Sequence, residues 1–156
     1  MAGEKFMDEA IALSLENMEK NAGGPFGCVI VKDGKIVGRG RNQVTSTNDP
    51  TAHAEVVAIR DACKNLNSFQ LDDCELYTSC EPCLMCLGAI YRARPKKIYY
   101  ANTSKDAADI GFDDAFIYKE LDKKLADRKI PMEQLLRNEA NAVFQKRVEK
   151  QDKIQY

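Results

Sequence analysis

Four residues in two short segments have the types and spacing for hydrolytic chemistry. His53 is the only histidine and stands two residues before Glu55, in Thr51-Ala52-His53-Ala54-Glu55. Cys83 and Cys86 lie three apart, directly after Pro82. One imidazole and two thiolates are good zinc ligands. Three protein ligands leave one tetrahedral position for water, whose pKa zinc lowers to about 7. One Zn2+ per chain is therefore the expected cofactor. Glu55 is the candidate general base, taking a proton from that water and returning it to a substrate nitrogen. His-x-Glu is a weak signal alone and Cys-x-x-Cys a moderate one. Together, with proline before the first cysteine and a strand between the two segments, they are strong.

Elements must bring these segments together. Both fall where helices are expected to start: one helix over residues 52–66 with a stripe of Val56, Ile59, Cys63 and Leu66, and one over 83–92 opened by Pro82. At a first turn His53 and Glu55 can converge on an ion lying off the helix end, although side chains two apart diverge further along. Partial positive charge at helix N-termini favours thiolate and hydroxide there. Upstream, residues 5–20 read as an amphipathic helix with Met7, Ile11, Leu15 and Met18 on its stripe. Phe26 to Val31 is an apolar run suited to a strand buried on both faces. Asp33-Gly34 is a hairpin signal, with Lys35 to Val44 as the returning strand and Thr45 to Thr51 as a loop. Strands are expected over 74–79 and 97–101, helix-prone sequence over 104–128 broken at Gly111, and a last strand over 130–135. Leu136, Ala140, Phe144 and Val148 mark a terminal helix, and 151–156 a polar tail. A hairpin followed by alternating helix and strand implies an α/β fold, with a mixed sheet covered by helices on both faces. Sites in such sheets form at the carboxyl ends of strands.

A chain of 156 residues is the usual size of one domain, and residues 1–156 are expected to form a single domain. The net charge of −1 gives no basic footprint for nucleic acid. No apolar run is long enough to span a membrane, and the first residues lack the apolar core of a signal peptide. Three of the six cysteines crowd into Cys80 to Cys86, a pattern that suits metal binding in a reducing cytoplasm better than a disulfide framework. Cys28, Cys63 and Cys74 lie in apolar elements and read as core residues. Cys80 admits another reading, as a fourth ligand closing a structural Cys3His site in a binding module. Because Cys80 ends a strand while Pro82 begins a new element, its sulfur need not face the metal.

The arrangement His-x-Glu followed by Pro-Cys-x-x-Cys matches the signature of zinc nucleobase deaminases. The chain resembles the cytidine deaminase-like superfamily, and within it the bacterial-type guanine deaminases. The resemblance runs through Gly23-Gly24-Pro25-Phe26-Gly27, Asn48 to Glu55, Tyr77 to Cys83 and Gly111-Phe112-Asp113-Asp114. The first three segments are shared with tRNA adenosine deaminases. The discriminating ones are Gly111 to Asp114, Phe116 to Glu120 and the terminal Tyr156. The resemblance implies a three-layer α/β/α fold with a mixed five-stranded sheet, and hydrolysis of guanine to xanthine and ammonia. It implies zinc on His53, Cys83 and Cys86, with Glu55 as proton shuttle. Phe26 would stack on the purine, and Asn42 and the backbone N–H of Ala54 would bond its polar edge. Asp114 would contact the amino group and assist proton transfer, and Tyr156 would close the pocket. A homodimer that exchanges C-terminal segments is implied as well. A nucleoside, another aminated base or tRNA adenosine is the alternative substrate. Mild acidity and Asp113-Asp114 argue against RNA, while Lys146, Arg147, Lys150 and Lys153 argue the other way.

Overall fold

The apolar run after Phe26 becomes β1 (Gly27–Lys32), with every residue but the last buried. Asp33 and Gly34 both take positive φ, the geometry of a two-residue hairpin turn that matches strand twist. The turn returns the chain as β2 (Lys35–Arg41). The computed structural model describes residues 3–156, which fall into two compact units, one ending at Asp114 and one spanning Ala115–Tyr156.

In the first unit, β3 (Glu75–Cys80) and β4 (Lys97–Asn102) complete a sheet of order β2-β1-β3-β4. β1 pairs antiparallel with both β2 and β3, and β3 pairs parallel with β4, so the sheet is mixed. On one face lies α1 (Glu4–Glu19), whose Phe6 and Leu13 pack on Val29, Val31 and Tyr77. The opposite face carries α3 (Ala54–Leu66) and α4 (Leu84–Ala93), where Ala54, Ala58, Ala62 and Ile90 pack on Cys28, Ile30 and Leu76. Between β2 and α3 runs α2 (Val44–Thr47), a short helix where a loop is expected. α5 (Ser104–Asp109) follows β4 behind a capping box at Thr103 and Asp106.

Two helix faces differ from the sequence reading. α1 buries Phe6, Ala10, Leu13 and Asn17, and leaves Ile11, Leu15 and Met18 exposed. In α3 the alanines face the sheet, and Ile59, Cys63 and Leu66 pack at the margin. Close approach explains the second case. A Cβ at Gly40 of β2 would stand 2.0 Å from the carbonyl oxygen of Ala54, so large side chains have no room between that strand and that helix.

The second unit holds α6 (Ala115–Leu121), a 3-10 turn (Leu125–Asp127) and α7 (Arg137–Glu149). The strand expected over 130–135 is not formed, and the segment is irregular. Pro131 has no N–H for a ladder. The described residues therefore make a four-stranded sheet instead of the expected five. No residue of this unit is buried, and Phe116, Phe144 and Val148 are all exposed.

Candidate metal centre and substrate cavity

His53 is the N-cap residue of α3 and Cys83 the N-cap residue of α4. The sequence reading put both at helix starts, and the structure has them there. β3 ends at Cys80 and leads straight into the Cys80-Glu81-Pro82-Cys83 turn, so one strand end lies beside the starts of α3 and α4. The sulfurs of Cys83 and Cys86 each lie 3.5 Å from His53 Nδ1. The three ligand atoms are all within 4.8 Å of one another. Tetrahedral zinc with ordinary Zn–S and Zn–N bonds sets sulfur and nitrogen about 3.6 Å apart. The cluster therefore fits that ion in both donor chemistry and spacing.

The fourth cysteine of the neighbourhood is turned elsewhere. Cys80 Sγ donates to the carbonyl oxygen of Thr103 at 3.6 Å, and Cys80 is not in the cluster. A closed Cys3His shell is not what this geometry builds. All six cysteines are free thiols.

The cluster's protons are tightly shared. The Cys86 thiol, donating to the sulfur of Cys83, holds Cys83 down at about 4, with the His53 ring adding to the effect. Cys86 is pushed far up by the same bond and by burial. His53 is raised, first by its contact with Cys83. Cys83 is thus disposed toward the thiolate that a metal ligand must be, and the protons held by the cluster can be exchanged for a divalent cation.

Glu55 is buried beside the cluster. Burial raises its pKa, while the hydrogen bond from Thr78 acts in the opposite direction. The Thr78 hydroxyl donates to Glu55 Oε1 at 3.1 Å. Nothing in the sequence distinguishes Thr78 from any β-branched strand residue, so its contact with Glu55 emerges only from the fold.

A cavity of about 490 Å³ opens over these groups, and Phe26, Asn42, Ala54, Glu55 and Asp114 are all on its wall. Phe26 is held edge-on to Phe112, with ring centres 5.0 Å apart. Asn42 accepts at Oδ1 from the Val44 N–H at 3.2 Å, which turns its amide nitrogen to other uses. Ala54 is the first residue of α3, so its N–H has no acceptor within the helix. The Asp114 carboxyl is raised, first by burial and then by the charge of Cys83. Tyr156 ends the second unit and is 82% exposed. The sequence motif assigns Phe112 no role, and its packing on Phe26 supplies one.

Residues 2–102 match the model of the cytidine and deoxycytidylate deaminase zinc-binding region. The chain is 59% identical over 145 residues to a guanine deaminase of Bacillus subtilis, covering 93% of each chain. It is 33% identical over 144 residues to a tRNA-specific adenosine deaminase of Aquifex aeolicus, covering 92% of each. An X-ray structure of the Bacillus subtilis guanine deaminase superposes with a TM-score of 0.95 at 56% identity, over 98% of both chains. A guanine deaminase of Nitrosomonas europaea superposes with a TM-score of 0.66 at 32% identity, over 69% of this chain and 63% of that one.

Proposed function

The chain belongs to the cytidine and deoxycytidylate deaminase zinc-binding family, and on that premise we propose that it is a hydrolytic deaminase converting guanine to xanthine and ammonia with one zinc ion per chain. The observation that carries the reading is the juxtaposition of the His53, Cys83 and Cys86 cluster with buried Glu55 on the wall of one cavity. The 59% identity to a guanine deaminase over nearly the whole chain supports the choice of base. It also supports a single deaminase domain over residues 1–156.

A zinc ion held by the cluster would supply Lewis acidity, lowering the pKa of water enough for attack near neutral pH. The rest falls to the chain's own groups. Glu55, raised by burial, stands closer to neutrality than an ordinary carboxyl and can both accept and return a proton. It takes a proton from the attacking water while oxygen bonds to the ring carbon that bears the amino group. It passes that proton to the adjacent ring nitrogen, then takes the proton of the hydroxyl now on the ring carbon and delivers it to the departing amine. The carbon–nitrogen bond breaks, ammonia leaves and the ring carbonyl of xanthine remains.

Phe26 stacks on the purine face, with Phe112 bracing it from the edge. Asn42 Nδ2 and the Ala54 N–H meet the polar edge of the base. Asp114, its pKa raised first by burial, contacts the amino group and assists the second transfer. Tyr156 closes the cavity from a second copy of the chain. The apolar surface of Ala115–Tyr156, with no buried residue of its own, supports a homodimer that exchanges this segment. β4, like β2, is an edge strand of the sheet, and an exchanged fifth strand would add along β4. No described helix is long and apolar enough to cross a membrane. The free thiols suit a cytoplasmic enzyme of purine breakdown.

Ammonia release from guanine, guanosine, adenine, cytosine, cytidine and an adenosine-bearing tRNA tests the assignment. Guanine alone should react at a substantial rate. Guanine inert beside an active adenosine-bearing tRNA would give the chain to the branch of its Aquifex relative instead.

A further inference from the structure

Asn17 is the one fully buried polar side chain of α1 and lies outside the metal cluster. Its amide nitrogen donates twice, to the carbonyl oxygen of Gly24 at 2.8 Å and to that of Asn42 at 2.9 Å. Its own carbonyl oxygen accepts from the Ala22 N–H at 3.0 Å. The side-chain oxygen Oδ1, by contrast, is buried and has no partner. The amide is therefore placed for its two donations alone, at the expense of its acceptor.

The two carbonyls belong to the backbone that presents the substrate contacts. Gly24 is two residues before Phe26, and the Asn42 N–H in turn donates to the carbonyl oxygen of Phe26 at 3.2 Å. The clasp also needs Gly23. A Cβ there would stand 2.1 Å from the carbonyl oxygen of Asn42 and 2.9 Å from Asn17 Nδ2. α1 thus fixes the spacing between the start of β1 and the end of β2. Phe26 and Asn42 leave the sheet there for the cavity.

We propose that Asn17 is a positioning residue for the purine: by tying α1 to the carbonyls of Gly24 and Asn42, it sets the gap between the stacking ring of Phe26 and the amide of Asn42. This rests on the reading of the cavity as a purine site. It predicts a division of effects. Binding of the base depends on the clasp, while zinc uptake and proton transfer at Glu55 do not, since His53, Cys83 and Cys86 hang on other elements.

The test uses the zinc-loaded protein and the variants Asn17→Ala and Asn17→Ser, with Leu71→Val as a buried change remote from the clasp. The dissociation constant is measured by calorimetry with hypoxanthine, which keeps the ring carbonyl and has no amino group to lose. Steady-state kinetics with guanine and zinc content complete the set. In Asn17→Ala, hypoxanthine Kd and guanine KM should both rise about tenfold. kcat should stay within about threefold and zinc at one per chain. Asn17→Ser, which keeps one donor, should fall between, and Leu71→Val should leave KM unchanged. A folded Asn17→Ala with parental Kd and KM overturns the proposal. So does a KM rise shared equally by Leu71→Val, and so does failure of both Asn17 variants to fold. If the parent deaminates a base other than guanine, the guanine assignment fails on that result alone. The same comparison is then made with the base it does accept.

Discussion

Removing the Thr78 hydroxyl isolates the proton-transfer group without touching the metal cluster. Thr78 Oγ1 donates to Glu55 Oε1 at 3.1 Å, both residues being buried. A hydrogen bond to a charged partner is worth about 1.5–3 kcal/mol. Thr78→Val keeps the shape and deletes that donor. The carboxylate loses this stabilisation and its acid form does not, so the Glu55 pKa should climb by about one to two units at 1.36 kcal/mol per unit. The working form is the carboxylate, because it must accept a proton from water. Activity is therefore lost as pH falls through the Glu55 pKa, and a higher pKa moves the acid limb to higher pH. The assay is the pH dependence of kcat/KM on guanine, with zinc content checked at each pH. The acid limb of Thr78→Val should lie about one to two units above the parent's, and Thr78→Ser should restore it. An acid limb that stays in place at full zinc occupancy would show that Glu55 does not carry the limiting ionisation.

Other outcomes follow from the same geometry. Zinc uptake by the metal-free protein near pH 7 should release about one to two protons per ion, since Cys86 and His53 hold theirs above ordinary values. Affinity should weaken as pH falls, and uptake without proton release, followed in weakly buffered solution, would contradict the shared-proton cluster. Glu55→Gln should raise the melting temperature of the metal-free protein. A carboxyl whose pKa is raised by folding contributes its stability below the unfolded value of about 4.5 and loses it as pH climbs through the folded value. The gain from Glu55→Gln should accordingly be small at pH 4 and grow as pH climbs through the raised folded value, and a gain independent of pH would count against burial as the cause. Cys80→Ser should keep one zinc per chain by metal analysis, because its sulfur faces Thr103 and not the cluster.

The residues that meet at the site were legible because their chemistry depends on local spacing. A helix start puts His53 beside Glu55, and three residues separate Cys83 from Cys86, wherever the rest of the chain goes. β1 and its Asp33-Gly34 turn were legible for the same reason. The faces of α1 and α3 were not. Counting large apolar side chains picks Ile11, Leu15 and Met18, whereas contact with the sheet selects Phe6, Ala10 and Leu13. Beside Gly40 only alanines fit, and alanine contributes little to an apolar stripe. Thr78 and Asn17 escaped because their roles lie in partners 23 and 25 residues away. The strand expected over 130–135 is not formed, since such a segment needs a neighbour to pair with before it is a strand.

The most direct measurement places zinc content and xanthine formation from guanine side by side for the parent protein and Glu55→Ala. One zinc per chain in both is expected, with xanthine and ammonia formed in equal amounts by the parent and none above background by the variant. A zinc-loaded parent that leaves guanine intact would contradict the substrate, and an active Glu55→Ala would contradict the chemistry.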